Sequence, residues 1–215
     1  MSLRETAHTV TEDYLDLWLI RHGESTHNKL ERIQGQLDTD LTELGVKQAE
    51  LLGKRLAGLH FDSVYSSDLK RALHTAQLAS PRQDIIQDTR LREISFGVLE
   101  DKHQSELSEE EQAIFDYVKA DRYNRGAPEG ESWQDHETRM KSWFNDLPTT
   151  GHVLAFTHGG SVRVTVFAVT GHHPKRYEWN VHFGNTCINR FRFAPSSKLI
   201  LGLNDTAHLE PLERT

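Results

Sequence analysis

The 215-residue chain holds a single cysteine, Cys187, which excludes an internal disulfide, suits a reducing compartment and reads as a packed strand residue, not a nucleophile. No run of 18 apolar residues occurs, so the sequence predicts no membrane-spanning helix. The segment 1–13 is polar and mixed in charge. It lacks the apolar stretch of a secretory signal and reads as a flexible extension of a cytoplasmic protein. Positive charge is in deficit, 25 Lys and Arg against 32 Asp and Glu for a net charge of −7, which argues against nucleic-acid or anionic-membrane partners. An anionic small molecule is not excluded, because salt screens surface acids lying beyond about 8 to 10 Å. Hydrophobic residues make up only 36% but are gathered into runs. With no repeat, low-complexity tract or linker in view, 1–215 reads as one domain.

What is present is an alternation of apolar runs and helical patterns. Runs at 15–20, 62–66 and 152–157 read as strands, and 85–94 as an extended stretch. Segments 41–59, 68–79 and 160–170 read as helices, the first with Leu44, Leu52, Leu56 and Leu59 on one stripe. Residues 187–193 and 199–203 read as closing strands around Pro195-Ser196-Ser197. The order predicts an α/β fold: a doubly wound, mostly parallel sheet with helices on both faces. Region 100–147 has helical patterning in two parts, divided by the turn formers 124–130, and reads as a helical insertion or lid over the crevice. Its acids, Glu106, Glu109, Glu110, Glu111 and Asp116, read as a solvated helix face.

Chemistry concentrates where strands end. Arg21-His22-Gly23 follows the first run and Thr157-His158-Gly159-Gly160 follows a later one, so both histidines fall on the lip where open sheets bind ligands. Between them, Arg71 opens the helix after the 62–66 strand. Arginine offers a donor fork that matches phosphate oxygens. A neutral imidazole is a nucleophile and an imidazolium a cationic clamp. Phosphoryl transfer to histidine is the chemistry that uses this set.

On these motifs and their order, over residues 15–205, the chain resembles the histidine phosphatase superfamily, which includes cofactor-dependent phosphoglycerate mutases and many phosphatases. The resemblance implies that His22 carries the phosphoryl group and that Arg21, Arg71 and His158, the last as an imidazolium, complete the phosphate pocket. It implies that Glu93 is the proton donor and that Asn28 and Gln34 contact substrate or phosphate. The Gly130-Glu131-Ser132 loop and Gly159 are implied to serve the phosphate too, the loop through its amides, with Glu131 and Ser132 as binding residues. No cofactor or metal is implied. His172-His173 and His182 are the best residues for an additional metal, but no flanking carboxylate or cysteine gives them zinc spacing.

Within the family a phosphatase acting on a small phosphorylated metabolite is the expectation, with a mutase as alternative. The mutase residues that hold glycerate, an aromatic hydroxyl and a lysine, are replaced by Phe96 and Gln104. Asp101 stands where the phosphatase pattern has glycine, which leaves that loop's path open. A catalytically idle phospho-ligand or protein binder is the alternative of another class, and a homodimer is left open.

Overall fold

A computed structural model describes residues 13–171 and 182–213; the extension expected over 1–13, Asp13 apart, and the His172-His173 pair lie outside them. The described elements run β1 (Leu15–Arg21), α1 (Thr26–Lys29), α2 (Glu43–Leu56), β2 (Ser63–Ser66), α3 (Lys70–Ala79) and β3 (Ile85–Gln87). They continue as α4 (Glu109–Ala120), α5 (Trp133–Asn145), β4 (Gly151–Thr157), α6 (Gly159–Thr170), β5 (Ile188–Ala194), β6 (Ser197–Asp205) and α7 (Glu210–Glu213). The sheet has six strands in the order β3-β2-β4-β1-β5-β6. β1 to β4 are mutually parallel, while β5 is antiparallel to β1 and β6 to β5.

β1 explains how the layers form. Successive side chains of a strand point to opposite faces, and here both are apolar. Leu15, Leu17 and Leu19 pack with Met140 and Trp143 of α5 and Val162 and Val166 of α6. Trp18 and Ile20 pack with Leu52 and Leu56 of α2 and Ala76 of α3. The doubly wound expectation therefore holds, with helices on both faces. Asp16 interrupts the run but is buried, and Arg192, its cross-strand partner on β5, holds it bidentately at 2.7 and 2.9 Å. A buried carboxylate is tolerated only with such a partner.

Three expectations are corrected. The buried face of α2 is Gly45, Gln48, Ala49, Leu52 and Leu56; Leu44 looks outward from the first turn and Leu59 lies past the helix end. The extended stretch at 85–94 is a strand only over Ile85–Gln87. β2 ends at Ser66, opposite Gln87, and the Asp88 side chain accepts from Arg90 N at 2.8 Å to start a 3₁₀ turn. The region 100–147 is not one lid. α5 is a core layer, with Trp143 fully buried, whereas α4 buries no residue completely and borders the crevice. Glu109, Glu110 and Asp116 are exposed on α4, as a solvated face requires. Asp101 sits at φ +62°, left-handed backbone that favours glycine, and its carboxylate bonds His27 at 2.9 Å.

Cys187 is buried beside the start of β5, and burial pushes its thiol up, so it is packing. No helix among the described residues is long and apolar enough to cross a membrane.

Candidate active site

Adjacency of β1 and β4 creates the site. Arg21 pairs with Thr157 in register, so the residues that follow, His22 and His158, leave neighbouring strands side by side. Their ring centroids are 5.1 Å apart. Gly23 then lets the chain turn against α2: a Cβ there would stand 2.6 Å from the Gly45 carbonyl oxygen. The Gly23 amide donates to Thr75 Oγ1 of α3 at 3.0 Å, and Asn185 Nδ2 donates to the His22 carbonyl at 3.1 Å. The backbone under His22 is thus fixed from both sides.

His22 is buried, and its partners define its tautomer. Arg71 Nε, which can only donate, lies 3.3 Å from His22 Nε2, and the Gly23 carbonyl, which can only accept, lies 2.7 Å from Nδ1. The proton is therefore on Nδ1 and the lone pair on Nε2. Burial, then Arg71 and Arg21, holds its pKa well below the usual histidine value, so the ring is neutral at neutral pH.

Arg71 is also buried. It donates to the carbonyls of Leu37 and Gly35, both at 2.7 Å, and to His22, which leaves two of its five N–H groups uncommitted. Burial lowers its pKa to about 10, still well above neutrality, so it keeps its charge. Arg21 donates to the Phe183 carbonyl, while its buried Nε has no partner. His158 Nε2 lies 2.9 Å from Ser67 Oγ, and its buried Nδ1 has no partner. Burial and Arg71 hold His158 well below the usual value. This burial favours the neutral ring at His158, where the sequence reading expects an imidazolium.

Above His22 lies a cavity of about 360 Å³ bordered by Arg21, His22, Asn28, Gln34, Glu93 and Glu131. Arg71 and His158 do not line it; each meets His22, which does. Arg32, Lys119, Arg122, Arg125 and Arg163 add cations to the rim, against the carboxylates of Glu93 and Glu131. A chain of net charge −7 thus turns a locally cationic crevice toward its ligand.

Glu93 reaches the cavity from the loop after the 3₁₀ turn, not from a strand end. Its oxygens accept from the amides of Ile94 at 2.9 Å and Gly160 at 3.0 Å, leaving about two of four acceptor positions. A Cβ at Gly160 would fall 2.0 Å from Glu93 Oε1. With Glu93 as the proton donor that the resemblance implies, Gly160→Ala is expected to displace it and lower kcat/KM for an alkyl phosphate by roughly 10²-fold, the cost of a misplacement near 1 Å. Steady-state kinetics beside a thermal melt checks this; wild-type kinetics in a folded variant would contradict it.

Several expected contacts have other occupations. Gln34 Nε2 donates to Ser25 Oγ at 2.9 Å and to Thr39 Oγ1, so Gln34 buttresses the loop it belongs to. Asn28 Oδ1 accepts from Ser25 N and Asn185 Nδ2, both at 3.2 Å, which leaves the Asn28 amide nitrogen for the crevice. The amides expected to face phosphate are all taken. Gly130 donates to Ala127 O and Glu131 to Ser95 O, while Ser132 donates to Asp135 as N-cap of α5. The Glu131 carboxylate pairs with Arg139. Gly159 opens α6 against Arg21, where a Cβ would meet Nε at an ordinary 3.6 Å. His182 borders a second hollow with Arg21 and Arg163. Among the described residues no group of three or more His, Cys, Asp or Glu could hold a metal ion.

Sequence reasoning missed Ser67, Thr75, Gln36, Arg139 and Asn185, which hold the site residues in place. Ser67 alone carried a signal, since it follows a strand end.

A mostly parallel sheet that sets two histidines and two arginines at its carboxyl edge places the chain among α/β proteins with a cationic crevice at the strand ends. The chain belongs to the histidine phosphatase superfamily (branch 1), whose family model matches residues 17–206. A protein named "Putative phosphoserine phosphatase 2" from Hydrogenobacter thermophilus is 32% identical over 91% of this chain and 98% of its own. "Probable phosphoglycerate mutase GpmB" from Cronobacter sakazakii is 34% identical over 91% of this chain and 95% of its own. A crystal structure of phosphoserine phosphatase from Entamoeba histolytica in complex with 3-phosphoglyceric acid is 29% identical, covers 91% of this chain and 99% of its own, and superimposes with a TM-score of 0.76.

Proposed function

We propose that this chain is a phosphatase that hydrolyses a small phosphate monoester through a phosphohistidine on His22. The observation that carries the reading is the fixed tautomer: a neutral ring with its lone pair on Nε2, beside two charged guanidiniums, in a cationic crevice. In the first step Nε2 attacks phosphorus as the ester P–O bond breaks opposite it. Arg21, with its unpartnered Nε, and Arg71, with two spare N–H groups, take the equatorial oxygens; the incoming dianion draws Arg71 Nε off the imidazole. His158 supplies an N–H from its neutral ring or, once the dianion is bound, an imidazolium. Asn28 offers its amide nitrogen. Protonated Glu93 gives its proton to the departing alkoxide. As carboxylate it then takes a proton from water, whose oxygen attacks phosphorus as the N–P bond breaks, returning neutral His22 and inorganic phosphate.

Molecules bound by a relative suggest where to begin, since the Entamoeba histolytica protein was crystallised in complex with 3-phosphoglyceric acid and a mutant of it with phosphoserine. The same residues perform a mutase reaction if the phosphohistidine passes to an alcohol instead of water, a reading favoured by the likeness to GpmB. Neither mutase position is filled as a mutase requires, with Phe96 and Gln104 standing there, which favours hydrolysis. An idle binder has no support, because His22, Arg21, Arg71, Glu93 and His158 are all retained.

A panel of phosphorylated metabolites, read for both phosphate release and phosphoryl transfer, tests the reading. Phosphate release is the expected outcome; binding without turnover would support the idle reading. On a turned-over substrate, Arg71→Ala is expected to lower kcat/KM by roughly 10²- to 10³-fold, as loss of a preorganised oxyanion donor does. A loss below about tenfold would mean that Arg71 meets no transition-state charge.

A further inference from the structure

The geometry points to Arg139 and Glu131 as a positioning clamp for Glu93, an ion pair that sets the leaving-group proton transfer without touching substrate. The inference rests on the reading of Glu93 as that acid. Past Gln87 the chain leaves the sheet, so the carbonyls of residues 90 to 93 have no strand ladder to satisfy them. Arg139 on α5 supplies the ladder's substitute. Its Nη1 donates to the Arg90 carbonyl at 2.8 Å and the Arg92 carbonyl at 2.9 Å. Its Nη2 donates to the Glu93 carbonyl at 3.1 Å and Glu131 Oε2 at 2.8 Å, and its Nε to Glu131 Oε1 at 2.8 Å. Those contacts use all five guanidinium donors.

Glu131 extends the grip. Its Oε2 accepts from the Ser95 amide at 3.0 Å, so the chain on either side of Glu93 is tied to one ion pair. Gln36 Nε2 adds a second donor to the Glu93 carbonyl at 3.1 Å. The pair is largely shielded, with side-chain exposures of 18% and 21%. A planar fork meeting a carboxylate edge-on and three carbonyls at once fixes orientation as well as distance. Lysine, a point charge with three donors, cannot reproduce it. The carboxylate of Glu93 is left to its two amides and the cavity, while its backbone is held from behind.

Single-turnover phosphorylation of His22 by an alkyl and an aryl phosphate provides the test. An alkoxide needs its proton early and an aryloxide does not, so a displaced acid penalises only the alkyl ester. Arg139→Ala is expected to slow the alkyl ester by roughly 10- to 100-fold and the aryl ester by less than about threefold. In a Glu93→Gln background it is expected to add little, because the acid is already gone. Equal slowing of both esters, or full additivity with Glu93→Gln, would overturn the clamp. If Arg139→Ala does not fold, Glu131→Gln, which keeps the size and weakens the pair, must show the same ester selectivity, and Arg139→Lys must retain the charge without restoring the rate. Were Glu93→Gln itself to show no ester selectivity, the reading of Glu93 would fall, and the clamp with it. A clamp that fails alone leaves that selectivity intact.

Discussion

His22→Ala is expected to lose roughly 10⁴- to 10⁶-fold in kcat, the scale on which removing a catalytic nucleophile acts. The lone pair on Nε2 is the only one that Arg71 and the Gly23 carbonyl together leave aimed away from the backbone, and alanine removes it. Arg21 and Arg71 remain in the variant, so phosphate esters should still bind; a competition assay with inorganic phosphate separates binding from turnover. The acid-labile, base-stable phosphoprotein that the proposed mechanism expects of the wild type on rapid quenching should vanish. A folded His22→Ala protein with near-wild-type turnover would remove His22 from the mechanism.

The second large effect concerns Glu93, and it depends on the substrate. Nitrophenolate leaves readily without protonation, whereas an alkoxide does not, so Glu93→Gln should slow phosphorylation by an alkyl phosphate by roughly 10²- to 10⁴-fold while barely changing an aryl phosphate. In the proposed mechanism dephosphorylation also uses Glu93, now as a base. With an aryl ester the variant should therefore form phosphohistidine quickly and lose it slowly, and the intermediate should accumulate. Single-turnover rates for both ester classes isolate the first step from the second. Equal slowing of His22 phosphorylation by the two classes would assign the leaving-group proton to another carboxylate.

The fold was legible where the chain repeats one physical pattern. Apolar runs followed by glycine placed β1 and β4, and the pairing of Arg21 with Thr157 is what turns two distant motifs into one site. The extended stretch at 85–94 is a strand only as far as it finds a partner, and β2 stops at Ser66. Gln34, Glu131 and Ser132 were legible as polar residues near the crevice but not by their occupation. Whether a carboxylate meets phosphate or Arg139 is decided by packing between α5 and the 90–95 loop, which no local pattern encodes. The same holds for the charge on His158. Its residue type permits an imidazolium, while full burial beside Arg71 favours the neutral ring. Arg139 carries no signal in the sequence, yet every one of its donors is committed.

One measurement addresses the central claim directly. Wild-type protein mixed with a turned-over phosphate ester, quenched in base within the first turnover and digested for peptide mass spectrometry should carry one phosphoryl group, on His22, that appears and decays at rates matching kcat. A phosphoryl group on any other residue, or phosphate release faster than any phosphohistidine forms, would contradict the account.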